Sequence, residues 1–182
     1  MKKYAILVMA VLAVVVFASG CIDDNTNSTS SQSTQPSIPT KLFSTSGVSF
    51  NYPESWEQYS ADQLTFDIEG NAKVVGGVGT SNGDVLASVQ QIPTQGYSLD
   101  EFENSMEQLI KQSGTLISTQ SITTNGRTGF EIVYTLSSGK KERINGYTDG
   151  TSFYLLTMST SESNYDSQQE NFDVISQSFK IQ

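Results

Sequence analysis

The sequence predicts an α+β domain, with a central antiparallel β-sheet and an amphipathic helix on each of its two faces. Three observations predict it. Between residues 41 and 182, runs that alternate apolar and polar residues are joined by tight Gly-containing turns, the pattern of neighbouring antiparallel strands. Two segments, 98–114 and 164–177, instead repeat apolar residues at helical spacing. Each helix then carries one apolar stripe, which a sheet face must cover.

The elements follow in order. After Leu42-Phe43-Ser44, Val48, Phe50 and Tyr52 alternate with polar residues up to Pro53, which stops the strand. Gln63 to Ile68 repeats the pattern with Leu64, Phe66 and Ile68 on one face. Lys73 to Thr80 reads as a Gly-rich strand, and a turn centred on Asn82-Gly83 leads into a strand from Asp84 to Ile92. Ser98 with Glu101 three residues on forms a capping box. Leu99, Phe102, Met106, Leu109 and Ile110 share the apolar face of the helix that follows, and Gly114 ends it as a C′ residue. Thr115 to Thr124 and Arg127 to Leu136 form a hairpin about Asn125-Gly126, a pair suited to a type I′ turn. Lys140 to Thr148 and Thr151 to Thr160 follow, joined at Asp149-Gly150, and the Phe-Tyr-Leu-Leu run in the second reads as buried on both faces. The last helix, about Asn164 to Gln177, places Phe172, Ile175 and Phe179 at helical spacing.

The chain starts with Lys2-Lys3, an uncharged apolar run of 14 residues from Tyr4 to Phe17, and Ala18-Ser19-Gly20 before Cys21. The run is short for a membrane span and suits the apolar core of a signal peptide. Small residues before a cysteine resemble the bacterial lipobox, with Ala18 where Leu is commoner. On this reading residues 1–20 are a lipoprotein signal peptide, Cys21 receives diacylglycerol, and the mature protein sits on the outer, extracytoplasmic face of the cell membrane. The alternative is an uncleaved N-terminal anchor, with the same placement. Cys21 is the chain's single cysteine, so no disulfide framework is possible.

Residues 21–40 are rich in Ser, Thr, Asn and Gln, with too little apolar surface to fold, and read as a tether. Asn27 opens a formal N-glycosylation sequon there. Residues 41–182 are one domain by length. Of 10 basic and 19 acidic residues, loss of Lys2 and Lys3 leaves 8 against 19. That balance argues against nucleic acid and anionic headgroups as partners.

Three stretches carry a family likeness. Gly47-Val48-Ser49-Phe50-Asn51-Tyr52-Pro53-Glu54-Ser55-Trp56, the hairpin Thr124-Asn125-Gly126-Arg127-Thr128-Gly129-Phe130-Glu131-Ile132-Val133-Tyr134, and the ending Phe172 to Lys180 resemble, in order and spacing, the motifs of PsbP-like domains. The resemblance implies an αβα sandwich with a central antiparallel sheet. It also implies binding and assembly rather than catalysis: the family's namesake is an extrinsic accessory subunit of photosystem II, and the wider superfamily holds a nuclear-import factor that binds the GTPase Ran. No ligand residues carry over, and the photosystem role is not transferred.

The side chains agree. Without a histidine, Ser-His-Asp and Cys-His catalysis and His-based zinc sites are excluded. Val75-Gly76-Gly77-Val78-Gly79 lacks the Lys-Ser/Thr of a phosphate loop and reads as a strand packed close to other backbone. Asp100, Glu101, Glu103 and Glu107 read as the solvated side of a helix, and Asn82, Asp84, Asp149 and Asp166 show no EF-hand-like spacing. Trp56 reads as a lid on the core, and the tyrosines 59, 97, 147 and 165 are scattered. Arg127, Lys140, Lys141 and Arg143, half of the mature basic residues, form a candidate patch for an anionic partner or, alternatively, charged protection of an exposed strand. The expected protein is thus a non-enzymatic, lipid-anchored domain with a protein partner and no cofactor. A small-ligand or metal-ion binder is the second reading, and a glycan hydrolase working with carboxylates alone the third.

Overall fold

The computed structural model describes residues 38–45, 47–64 and 72–182. The expected signal peptide, Cys21, Asn27, most of the expected tether and residues 65–68 of the strand expected over Gln63 to Ile68 lie outside the described residues. Among the described residues ten strands are present: β1 (Thr40–Thr45), β2 (Val48–Pro53), β3 (Glu57–Tyr59), β4 (Lys73–Gly79), β5 (Leu86–Pro93), β6 (Gly114–Thr124), β7 (Arg127–Leu136), β8 (Lys140–Thr148), β9 (Ser152–Ser161) and β10 (Lys180–Ile181). Helix α1 (Leu99–Ser113) lies between β5 and β6, and α2 (Gln169–Ser178) between β9 and β10. Seven strands form one antiparallel sheet in the order β3-β4-β5-β9-β8-β7-β6, and β1-β2-β10 form a second.

Strand β9 shows how the core is divided. Successive side chains of a strand point to opposite faces. Leu155 packs with Phe130, Ile132, Ile144 and the α1 residues Phe102 and Ile110, and Phe102 stacks on Phe153 at 4.1 Å. Tyr154, Leu156 and Met158 belong to the other cluster, with Phe172 and Ile175 of α2 and with Phe43, Val48, Phe50 and Tyr52 of the small sheet. An aromatic stack ties the two sheets together, running Phe43–Phe50 at 4.6 Å, Phe50–Phe179 at 6.2 Å and Phe179–Tyr147 at 5.3 Å.

The expected mixture of antiparallel sheet and two helices is present, but the sheet is larger than a helix–sheet–helix sandwich implies. The side that carries α2 is shared with a second sheet. Its strand β10, of two residues, was too short to register as an element, as was β3 with three, while β1 buries only Phe43 and lacks the alternation that marks a strand. The predicted strand at Gln63 begins instead with a 3₁₀ turn, Ala61–Gln63, closed by Ser60 and Gln63. Leu109, placed on the buried face, is 59% exposed. Gly114 is not a left-handed C′ residue: its φ of −165° is extended, and it opens β6 directly. A Cβ there would run into the Thr135 carbonyl, so glycine serves close strand approach rather than helix reversal. The last helix begins as a 3₁₀ turn, Tyr165–Gln168, before α2 proper.

Other expectations hold. Both bonds of the Ser98/Glu101 capping box form. Asn125 and Gly126 take φ of 51° and 78°, the two positive values a type I′ turn requires. Trp56 is buried, edge-on to Phe172 at 6.5 Å. The Gly-rich segment is β4, where a Cβ at Gly77 would lie 2.5 Å from the Ala87 carbonyl oxygen.

Candidate functional site

The four cations singled out in the sequence do not share one surface. Lys140, Lys141 and Arg143 are on β8, an interior strand between β9 and β7. They therefore do not guard a sheet edge, and alternation sends Lys140 to the α1 side and the other two to the α2 side.

On the α2 side, Arg143 is 6% exposed. Its guanidinium donates to Asp173 Oδ1 at 2.7 Å and to Gln169 Oε1, both from α2, and lies 3.9 Å from Glu131 Oε2 of β7. It also sits over the Phe172 ring. Burial disfavours its charge, but the bond to Asp173 and the contact with Tyr165 outweigh that and raise its pKa. Glu131 is further held by Gln120 Nε2 at 2.8 Å and Asn145 Nδ2 at 3.1 Å. Lys141 Nζ covers the Tyr165 ring at 4.2 Å. Two cations and two carboxylates make this cluster neutral, and its bonds clamp α2 to the sheet. Asn145 Oδ1 is buried with no hydrogen-bond partner among the described residues.

On the α1 side, Lys140 stands at a cleft of about 250 Å³ floored by Ser88, Thr157, Ser159, Ile144 and Leu155. Glu142 accepts from the Tyr134 hydroxyl and, at 2.9 Å, from Ser159 Oγ. Burial first, then the Glu142 charge and hydrogen bond, push the Tyr134 phenol far above its ordinary pKa, so it stays a donor. Glu142 is the one carboxylate among the described residues lining this cleft.

Arg127 belongs to a third place, where the β6–β7 turn meets β10. Thr124, Asn125, Arg127, Tyr147, Phe179 and Lys180 line a cleft of about 510 Å³. The cleft is held in shape from several sides. Asn125 Nδ2 donates to the Phe179 carbonyl at 2.8 Å, Tyr147 Oη donates to Thr124 Oγ1 at 3.0 Å, and Arg127 is fixed by the Thr148 carbonyl at 2.5 Å. Neither Arg127 nor Lys180 has a carboxylate partner among the described residues, whereas Arg143 and Lys111 do. Two uncompensated cations above an aromatic floor can receive a carboxylate or phosphate group. Sequence reasoning missed Lys180, which is distant in sequence from Arg127. The Asn125-Gly126 turn was the available signal, since its side chain reaches across to the chain's end.

The chain matches the family model for PsbP-like proteins over residues 4–181. Among solved structures it is similar to cyanobacterial PsbP (CyanoP) from Synechocystis sp. PCC 6803, at 16% identity and a TM-score of 0.53, covering 85% of this chain and 98% of that one. It is also similar to LpqN of Mycobacterium tuberculosis, described as involved in cell envelope biogenesis, at 10% identity and a TM-score of 0.50, covering 80% and 91%. Identities this low speak for the fold alone. No curated protein sequence matches the chain. The family match runs from residue 4 to residue 181, nearly the whole chain, so the chain belongs to the PsbP-like protein family.

Proposed function

We propose that this protein is a lipoprotein anchored through Cys21 on the extracytoplasmic face of a membrane, with a non-catalytic PsbP-like domain that binds a protein partner through an acidic group on that partner. The observation that carries the reading is the Arg127–Lys180 cleft. In a chain of net charge −9 it holds two cations that form no ion pair with a carboxylate among the described residues. The anionic-partner patch thereby narrows to Arg127 and gains Lys180, because Arg143 is committed to Asp173 and Glu131. Catalysis is disfavoured because Glu131 and Glu142 are engaged in fold-internal bonds, and hydrolysis by carboxylates alone needs a free pair about 5 to 9.5 Å apart.

The test is affinity capture from solubilised membranes with the full chain and with Arg127→Gln/Lys180→Gln. A partner recovered with the native chain and lost with the double variant supports the reading. Equal recovery with both refutes the cleft, and recovery with neither refutes the binding role. Intact mass of the membrane-extracted protein decides the anchor. Residues 21–182 plus lipid is expected, and an unmodified full-length mass refutes it.

A second reading, a surface small-ligand binder, draws support from the cleft of about 250 Å³ lined by Tyr134 and Glu142. It predicts a small molecule retained in native mass spectra and released by Glu142→Gln.

A further inference from the structure

Among the described residues the two sheets have four edge strands, and three carry a charge (Lys180 in β10, Glu57 in β3 and Lys41 in β1), two of these being also very short. β10 has two residues, β3 has three including Glu57, and β1 has six including Lys41. Short length and charge are how proteins keep sheet edges from pairing with other chains. The fourth edge, β6, is different. It runs 11 residues, Gly-Thr-Leu-Ile-Ser-Thr-Gln-Ser-Ile-Thr-Thr, with no charge and no proline. Ile117 to Ser121 are exposed on both faces, so neither helix nor loop covers them. A bulge between Leu116 and Ser118 disturbs its start, but Ser118 to Thr124 pair regularly with β7 and leave their outer backbone groups open. Of the four large hydrophobic residues exposed among the described residues, one, Ile117, lies on this edge.

We propose that β6 is a pairing edge and that its occupant is a second copy of this chain, joined antiparallel about a two-fold axis at Ser121. A two-fold pair needs a strand that suits itself. With the axis at Ser121, Gln120 faces Ile122, Thr119 faces Thr123 and Ser118 faces Thr124, so no like charges meet. Two acidic molecules repel over most of their surfaces, and this uncharged seam is where they approach without that cost. On the α1 side Glu103 is bonded to Thr119 Oγ1 at 2.9 Å. It then lies across from Thr123 of the second copy rather than from its own counterpart. Two seven-stranded sheets become one, closing two exposed edges with a symmetric, self-limiting contact. The inference does not depend on the proposed lipid anchor or on the Arg127 cleft.

Sedimentation equilibrium of the full chain in detergent tests it, beside Ser121→Lys, which sets two lysines against each other at the axis. A dimer is expected for the native chain, with association at least about 100-fold weaker for the variant, whose circular dichroism should be unchanged and whose melting should match that of the dilute, monomeric native chain. Hydrogen exchange supplies a second readout, with Ser118–Thr124 amides slowing as protein concentration rises. A monomer at all concentrations overturns the proposal. So does a dimer that persists in Ser121→Lys, as pairing through the N-terminus would give, or β6 amides indifferent to concentration.

Discussion

Arg143→Ala removes the centre of the clamp between α2 and the sheet, and its cost can be worked from the partners left behind. Taking one member from a fully buried ion pair costs roughly 3–5 kcal/mol, because the other charge stays buried and unpaired. Here the orphans are unequal. The Asp173 side chain is 49% exposed and rehydrates when freed. The Glu131 side chain is 16% exposed, but it keeps the amides of Gln120 and Asn145. The penalty falls below the fully buried case, at about 2–3 kcal/mol including the stacking lost over Phe172. At about 2–4 °C per kcal/mol for a domain of this size, the midpoint drops by about 5–10 °C. Arg143→Lys keeps the charge but cannot reach Asp173 and Gln169 together, and should cost about 1–2 kcal/mol. Lys140→Ala, on the same strand with no carboxylate partner among the described residues, is the control and should stay within about 0.5 kcal/mol. Urea unfolding followed by Trp56 fluorescence gives all three. Arg143→Ala within about 0.5 kcal/mol of the native chain, or Lys140→Ala as costly as Arg143→Ala, would refute the clamp.

Three further outcomes follow from the coordinates. Gly146→Ala drives a Cβ into the Phe130 ring inside the core and should destabilise by about 1–3 kcal/mol in the same assay. Gly126→Val forces a β-branched residue to a φ of 78° and should cost about 1–2 kcal/mol, with hydrogen-exchange protection lost first at the β6–β7 turn. Asp149 is an acid-sensitive contact. Burial opposes its ionisation, but the Ser152 and Thr151 amides, the Thr151 hydroxyl and the Tyr154 phenol outweigh it and lower its pKa from 3.8 to about 2. The contribution is therefore complete above about pH 4 and lost as pH falls towards 2. Because Asp149 is exposed, it amounts to about 1 kcal/mol after solvent screening. The stability gap between the native chain and Asp149→Asn should shrink by that amount between pH 5 and pH 2.

The parts of the fold that were legible in the sequence are those whose signal is local. The β6–β7 hairpin announces itself because Asn125-Gly126 requires two positive φ values, and α1 because Ser98 and Glu101 satisfy each other's backbone. The strands that escaped have no local signal. β10 is two residues long and exists because Phe179 is drawn into the core between Phe50 and Tyr147, delivering Lys180 and Ile181 to the edge of β2. Leu109 was misplaced for a related reason. An apolar stripe marks which residues can be buried, but the partner decides how many are, and α1 leaves Leu109 uncovered.

The charged residues show the same division more sharply. Adjacent in sequence, Lys140 and Lys141 look like a patch, yet a strand sends neighbours to opposite faces, and only the choice of interior or edge decides what each meets. β8 is interior, so Lys141 and Arg143 find α2, and Arg143 becomes a buried tie rather than a docking charge. Arg127 and Lys180 are 53 positions apart, and nothing local relates them. Their meeting depends on two long-range events: the turn at Asn125 reaching the Phe179 carbonyl, and Phe179 stacking on Tyr147. Asn125→Ala separates the two effects, because it removes the tie to Phe179 without touching either cation. If the cleft's binding depends on that tie, Asn125→Ala should weaken partner capture about as much as Lys180→Gln while leaving melting within about 1 kcal/mol of the native chain. Full capture by Asn125→Ala would mean that the cations act independently of the cleft that holds them.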